Sequence, residues 1–215
     1  MTDLQLRIAV VVPSGDVLHA DFAMSLARMC AATQGLRLNV INTKSSIVAI
    51  ARNNGVELAQ AFDAHYLLFL DSDMMFPEAT LLRLLMHQRD IVGATYPKRV
   101  PPYNALGTVL PGEVSQTASG LIEMARIPTG CLLIKMSVFE QLARPYFRFE
   151  ANETTGDIIG EDYVFCDRAR SAGFRIWCDP TLSHEIGHIG QQVFRIPLVQ
   201  SAETIPSETT PSASQ

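Results

Sequence analysis

The sequence lacks long apolar runs, paired cysteines and an excess of positive charge. No stretch reaches the roughly 18 apolar residues that a membrane-spanning helix needs, and the apolar run from Ile8 to Val12 ends at Pro13. The four cysteines are scattered without a C-x-x-C pair, so no zinc knuckle is predicted. A formal net charge of −5 gives no support for nonspecific nucleic-acid binding. We therefore expect a cytoplasmic protein without a membrane span.

The first half of the sequence alternates between strand and helix patterns. Short apolar runs predict strands, and apolar residues at helical spacing predict helices between them. The predicted strands are Arg7–Val12, Leu36–Ile41, Tyr66–Leu70 and Ile91–Thr95, and the predicted helices are Ala20–Ala32, Ile47–Phe62 and Glu78–His87. This alternation predicts an α/β fold with a Rossmann-like, mostly parallel central sheet flanked by helices.

The second half is less regular. Its predicted elements are a loop over Val100–Glu113, strands at Cys131–Met136 and Arg175–Cys178, and helices at Ser137–Ala143 and Glu161–Ala172. From Gln200 the chain is polar and rich in Ser, Thr and Pro, which predicts a disordered tail over residues 200–215. With 47% apolar and 18% charged residues, the remaining residues 1–199 suit one folded domain.

Two acidic residues follow the continuously apolar strand Tyr66–Leu70. Asp71 and Asp73, with Ser72 between them, project to the same side of an extended segment. Ligands of parallel sheets bind beyond the carboxyl ends of strands, and carboxylates suit Mg²⁺ or Mn²⁺, which take substrate phosphates as further ligands. The structural alternative is an acidic pair that caps the next helix. The position after a buried strand favours a metal site.

Five segments share one pattern with a known family. They are Ala51-Arg52-Asn53, Tyr66–Met74, Ala94–Arg99, Thr129–Ile134 and Gly160-Glu161-Asp162. In this order they resemble the motifs of GT-A fold glycosyltransferases, particularly small bacterial and phage members related to family two, over about residues 7–190. The resemblance implies a nucleotide-sugar-binding half over residues 1–100 and an acceptor-side half over residues 101–199. It also implies sugar transfer from a nucleoside diphosphate sugar, most commonly linked to uridine diphosphate, to an acceptor hydroxyl of unknown class.

The resemblance further implies a histidine as the third ligand of Mn²⁺ or Mg²⁺ beside Asp71 and Asp73. His188 fits the family's H-x-G pattern better than His184, which remains the alternative ligand. The structural alternative for either histidine is an imidazole that only makes hydrogen bonds within the fold.

The same segment contains H-E-x-x-H, the motif of helical zinc proteases. Pro180, Gly187 and Gly190 argue against a stable helix there, and no suitable downstream ligand follows. A zinc protease is therefore the least favoured alternative.

Glu161 and Asp162 open a predicted helix. Acidic residues in the first turn complement the helix dipole and cap free N–H groups, which is a purely structural role. The resemblance implies a catalytic base for the acceptor hydroxyl, with Asp162 ahead of Glu161. The two roles are compatible.

Several residues are candidates for contacts with the nucleotide of the donor. The candidates are Pro13, Ser14 and Asp16, which follow the first strand where the family binds the base, Asn42 after the second strand, Arg52, and the residues of Asp71–Asp73. Lys98 and Arg99 lie beyond a strand end and are candidates for contact with phosphate or an anionic acceptor. The purely structural alternatives are turn formation after the first strand and a solvated helix face for Arg52.

Two other functions stay open. A nucleotidyltransferase is disfavoured because the first strand is not followed by a Gly-rich basic loop, and a sugar-nucleotide-binding protein without catalysis is possible.

Overall fold

Apolar segments form the strands, and the amphipathic segments between them form the helices. The computed structural model describes residues 5–112, 116–190 and 193–195. Within them, the strands are β1 (Arg7–Ser14), β2 (Arg37–Lys44), β3 (Tyr66–Leu70), β4 (Met74–Met75), β5 (Ile91–Gly93), β6 (Thr108–Val109), β7 (Ile122–Arg126), β8 (Cys131–Lys135), β9 (Glu150–Ala151), β10 (Ile158–Ile159), β11 (Ile176–Cys178), β12 (Gly187–Ile189) and β13 (Val193–Phe194). The helices are α1 (Ala20–Ala32), α2 (Val48–Ala61), α3 (Thr80–Met86), α4 (Ser137–Glu140), α5 (Glu161–Ser171) and α6 (Pro180–Glu185). The predicted tail over residues 200–215 lies outside the described residues.

Among the described strands, eight form one sheet in the order β2-β1-β3-β8-β5-β11-β7-β6. β1 pairs in parallel with β2 and β3, and β5 pairs in parallel with β11. β8 runs antiparallel between β3 and β5, and β7 runs antiparallel to β11 and β6. The predicted α/β fold with a large, mostly parallel sheet flanked by helices is confirmed. The sequence predicted β8 as a strand without its reversed direction, because a buried strand has the same apolar pattern in either direction.

Two apolar layers cover the two faces of this sheet. Phe69 of β3 faces the layer formed with α2, α4 and α5, where its ring meets Phe147 edge-on at 5.3 Å between centroids. Leu70 points to the opposite layer, where it is buried with Phe22 of α1 and Leu81 of α3. Burial on both faces explains why β3 is apolar throughout.

A second, smaller sheet fixes the last described part of the chain beside the end of β3. β12 pairs antiparallel with β4 and with β13, and the backbone N–H of Ile189 donates to the carbonyl of Asp73 at 2.7 Å. Asp179 precedes α6 as its N-cap residue, and its carboxylate accepts the N–H of Leu182 and also contacts Arg83 at 3.1 Å and His87 at 3.0 Å. These contacts hold α6 against the α3 region and set the position of β12.

The large sheet takes strands from both predicted halves of the domain: β1, β2, β3 and β5 from the first, and β6, β7, β8 and β11 from the second. The domain limits of 1–199, with halves 1–100 and 101–199, stay predictions. Within the described residues, no helix has the length and apolar character needed to cross a membrane.

Candidate active site

Three parallel strands end at the same edge of the sheet and open onto a cleft. β1 ends at Ser14, β2 at Lys44 and β3 just before Asp71. The cleft has a volume of about 220 Å³. Its lining residues, which define the strand-end cleft, are Pro13, Ser14, Ser45, Ser46, Val48, Ala51, Asp71, Ser72 and Asp73. The acidic pair therefore lies where ligands of such sheets bind.

Arg52 lies buried between acidic residues from two parts of the chain. Its residue exposure is 4%. Its Nη2 donates to both carboxylate oxygens of Asp71, at 3.0 and 3.2 Å, and its Nη1 donates to Glu161 at the start of α5. Its Nε–H is buried without a partner in the described part of the chain. The solvated helix face was therefore the wrong interpretation of Arg52, and a donor contact stays a prediction.

Asp162 follows Glu161 in the first turn of α5. Its Oδ1 accepts the backbone N–H of Tyr163 at 2.8 Å. Burial raises the pKa of Asp162 above its ordinary value, and the charge of Asp71 adds to the rise, although the Arg52 guanidinium opposes it. A carboxylate with a raised pKa takes a proton more readily, which suits a general base.

Asp73 and His188 face each other although they are distant in the chain. His188 is 8% exposed, and its Nε2 lies 3.6 Å from Oδ2 of Asp73. Its Nδ1 lies 2.9 Å from the carbonyl oxygen of Pro97. Because a carbonyl can only accept, Nδ1 carries the hydrogen of this bond. Nε2 therefore directs either a lone pair or a second proton at the carboxylate.

Positive charge compensates the Asp73 carboxylate. Arg99 Nη1 donates to Oδ2 at 2.9 Å. Burial acts to raise the pKa of Asp73, but the hydrogen bond and charge of His188 and the charge of Arg99 outweigh it, so this pKa lies below its usual value.

The predicted metal ligands are brought together in part. Among the residues that the structure describes, no group of three or more His, Cys, Asp and Glu side chains is placed to hold a metal ion. Asp73 and His188 meet, whereas Asp71 is engaged by Arg52. Nε2 of His188 and Oδ2 of Asp73 lie 3.6 Å apart, which is less than the combined length of two metal–ligand bonds of about 2.1 Å each. The Nδ1–carbonyl bond is also usual for a metal-binding histidine. The residues thus fit a two-ligand cation site completed by phosphate and water.

Ser14 and Asn42 form one small network at the edge of the strand-end cleft. The Asn42 side-chain amide donates to Ser14 Oγ at 2.7 Å and to the carbonyl of Val12 at 3.0 Å. Asn42 therefore fixes the Ser14 hydroxyl, while Pro13 lines the cleft beside it. Donor contacts of Pro13, Ser14 and Asn42 stay predictions.

Two other predicted donor residues are exposed. Asp16 pairs with Lys44 at 3.1 Å, and the Asp16 side chain is 93% exposed. Lys98 is also exposed, and its backbone N–H donates to the carbonyl of Asn104 at 2.9 Å. Donor contacts of Asp16 and Lys98 stay predictions.

His184 lies in a different environment from His188. It belongs to α6 and lines a separate, mostly apolar cavity of about 270 Å³, with Leu106 and Met124 among its neighbours. α6 ends at Glu185, and His188 lies in β12. The two histidines are therefore not one turn apart on one helix, which removes the geometry of a helical zinc-protease site.

The sequence analysis missed the contacts that fix the backbone around Asp71. The carbonyl of Gly130 accepts the Asp71 N–H at 3.1 Å, and the Gly130 N–H donates to the hydroxyl of Tyr96 at 3.0 Å. A Cβ at position 130 would collide with the Tyr96 ring, so glycine is required there. Gly130 and Tyr96 both belong to motifs that carried the resemblance, but their mutual contact depends on the pairing of β5 with β8.

No protein-family model matches the chain, and no curated protein matches its sequence significantly. Among solved structures, the crystal structure of A197 from STIV is similar with a TM-score of 0.58 and 15% identity, covering 93% of this chain and 99% of that one. S. aureus TarS 1-349 has a TM-score of 0.47 and 16% identity, covering 76% of this chain and 55% of that one. The inositol-1-phosphate CTP transferase from T. maritima has a TM-score of 0.48 and 14% identity, covering 81% and 85%. The likeness to A197 shows a common fold, and the two lower scores carry no argument.

Proposed function

We propose that the protein is a metal-dependent glycosyltransferase that moves a sugar from a nucleoside diphosphate sugar, with uridine diphosphate as the carrier, to an acceptor hydroxyl. The observation that carries this proposal is the facing pair of Asp73 and His188 beside the strand-end cleft. The acidic residues at the start of α5 support it, because Arg52 pairs with both Glu161 and Asp71 and so joins the start of α5 to the end of β3.

Asp73 and His188 would hold Mn²⁺ or Mg²⁺, and Asp71 is proposed as a further ligand from the sequence. When bound, the cation would supply positive charge that stabilises the departing diphosphate. The cleft suits the nucleoside part of the donor, because its lining combines the polar residues Ser45 and Ser46 with the apolar residues Pro13, Val48 and Ala51.

Asp162 would act on the acceptor. As the anomeric carbon exchanges its bond to the diphosphate oxygen for a bond to the acceptor oxygen, the ionised Asp162 carboxylate accepts the acceptor's proton. Its raised pKa strengthens it as a base, and the Arg52 guanidinium favours its ionised form. This role applies to transfer with inversion at the anomeric carbon.

The test is release of uridine diphosphate from a panel of uridine diphosphate sugars, with Mn²⁺ or with a chelator. We expect turnover with Mn²⁺ that the chelator removes and that Asp73→Asn lowers by about 100-fold or more. Asp90→Asn is a matched control, because Asp90 is an exposed acid that pairs loosely with Lys135 at 3.8 Å, and this variant should keep full activity.

Three results would contradict the proposal. Unchanged turnover in a variant that carries both Asp71→Ala and Asp73→Ala would remove the metal assignment. Release of pyrophosphate from a nucleoside triphosphate, without sugar transfer, would instead identify a nucleotidyltransferase. Binding of sugar nucleotides without turnover on any acceptor would identify a binding protein.

A further inference from the structure

Arg99 occupies the carboxylate oxygen on which the proposed cation depends. Its Nη1 donates to Oδ2 of Asp73 at 2.9 Å and to the carbonyl of Ile189 at 3.1 Å. The same Oδ2 lies 3.6 Å from Nε2 of His188. Arg99 therefore reaches across β12 to the point where the ion would bridge the two protein ligands.

Few packing contacts hold Arg99 in this position. Its side chain is 47% exposed, and every residue from 98 to 105 is exposed. Two backbone hydrogen bonds lie within this segment, from the N–H of Tyr103 to the carbonyl of Val100 at 3.0 Å and from the N–H of Lys98 to the carbonyl of Asn104 at 2.9 Å. Because the arginine side of this ion pair is half exposed and such pairs contribute little stability, the guanidinium can leave Asp73 at small cost.

We propose that Arg99 and the divalent cation exchange on Asp73. The guanidinium compensates the carboxylate before the ion arrives, and it then binds the diphosphate of the donor. This inference rests on the proposed function, since it requires both the cation and the diphosphate.

Electrostatics favours this exchange over simultaneous binding. A guanidinium and a divalent cation repel each other when both contact one carboxylate oxygen. A diphosphate held by the ion offers paired oxygens at the same place, and a guanidinium binds such oxygens in a bidentate manner. Arg99 is therefore a competitor of the ion and a partner of the nucleotide.

The test compares two affinities of the full chain by titration calorimetry, first for Mn²⁺ alone and then for uridine diphosphate at saturating Mn²⁺. In the wild type, Mn²⁺ can bind only those molecules in which Arg99 has left Asp73. Removing Arg99 therefore raises the apparent Mn²⁺ affinity by the inverse of that fraction of molecules. Arg99→Gln should therefore bind Mn²⁺ about fivefold more tightly and uridine diphosphate at least about fivefold more weakly.

Lys135→Gln is the control for loss of one positive charge. Lys135 pairs with Tyr66 at the start of β3, about 16 Å from Asp71 along the strand, and salt screens charges over about 8 Å. Its Mn²⁺ affinity should stay within twofold of the wild type. In an Asp73→Asn background, Arg99→Gln should bring no gain in Mn²⁺ affinity.

The outcomes separate the two proposals. If the wild type binds Mn²⁺ but Arg99→Gln binds it no more tightly than Lys135→Gln, the exchange is wrong and the metal site stands. Unchanged affinity of Arg99→Gln for uridine diphosphate removes the diphosphate contact. If neither the wild type nor Arg99→Gln binds Mn²⁺, both the exchange and the proposed metal-dependent function are wrong.

Discussion

Replacing Arg52 with methionine leaves the Glu161 carboxylate buried without its cation. The Glu161 side chain is 8% exposed and that of Asp71 is 26% exposed, so the larger penalty falls on Glu161. Removing one partner of a buried ion pair costs about 3–5 kcal/mol. Because Glu161 lies in the first turn of α5, the helix dipole offsets about 1 kcal/mol. We expect Arg52→Met to lower the free energy of unfolding by about 3 kcal/mol, or the midpoint temperature by about 6–12 °C.

Urea denaturation followed by far-ultraviolet circular dichroism measures this loss, provided that the m-values of the variants agree. The double variant Arg52→Met plus Glu161→Met should recover about 2 kcal/mol, since the more deeply buried carboxylate is then gone and only the partly exposed Asp71 is left without its cation. Arg148→Met is the control. Arg148 and Glu150 form an exposed pair, and breaking it should change stability by less than about 0.5 kcal/mol.

The double variant decides between charge and packing as the cause. If it is as unstable as Arg52→Met, the loss comes from the missing side-chain volume. A loss below about 1 kcal/mol in the single variant would show that Glu161 is hydrated or finds another partner.

Three further changes test other parts of the structure. Asp179→Ala removes the cap of α6 and the carboxylate shared with two side chains from the α3 region, and should lower stability in thermal denaturation by about 2 kcal/mol. Burial opposes ionisation of Asp179, but its hydrogen bonds and cationic neighbours outweigh this and lower its pKa. The stability difference between the wild type and Asp179→Ala should therefore shrink as the pH falls from about 4 through that lowered pKa. Gly130→Ala forces the Tyr96 ring aside and should cost about 1–3 kcal/mol in urea denaturation. Gly15→Ala, with open space at its Cβ, should change stability by no more than about 1 kcal/mol.

The end of β3 is the part of the site that the sequence predicts well. A continuous apolar run followed by Asp71 and Asp73 is a local pattern, and burial on both faces requires that pattern of any central strand. The α/β fold follows from the same local alternation. The boundaries of α1 agree with the prediction, whereas α4 is shorter than predicted and covers Ser137–Glu140.

The partners of the acidic residues could not be predicted from local patterns. Arg52 faces Glu161 only because α2 and the start of α5 meet at the end of β3. The carbonyl of Pro97 fixes a hydrogen on Nδ1 of His188, and this contact exists only in the folded chain. Spacing in the sequence indicates which side chains carry chemistry, and strand pairing determines which of them meet.

The pairing of β4 with β12 also has a consequence for the order in which the molecule is made. β1, β2 and β3 are translated before α6 and β12, so the walls of the strand-end cleft are available to a nascent chain before His188 has been made. Asp73 gains His188 only after α6 and β12 have been synthesised and have docked. Contacts between distant segments form late, because closing a long loop costs entropy before the contact repays it. A growing chain therefore carries Asp73 without His188 until α6 and β12 are in place.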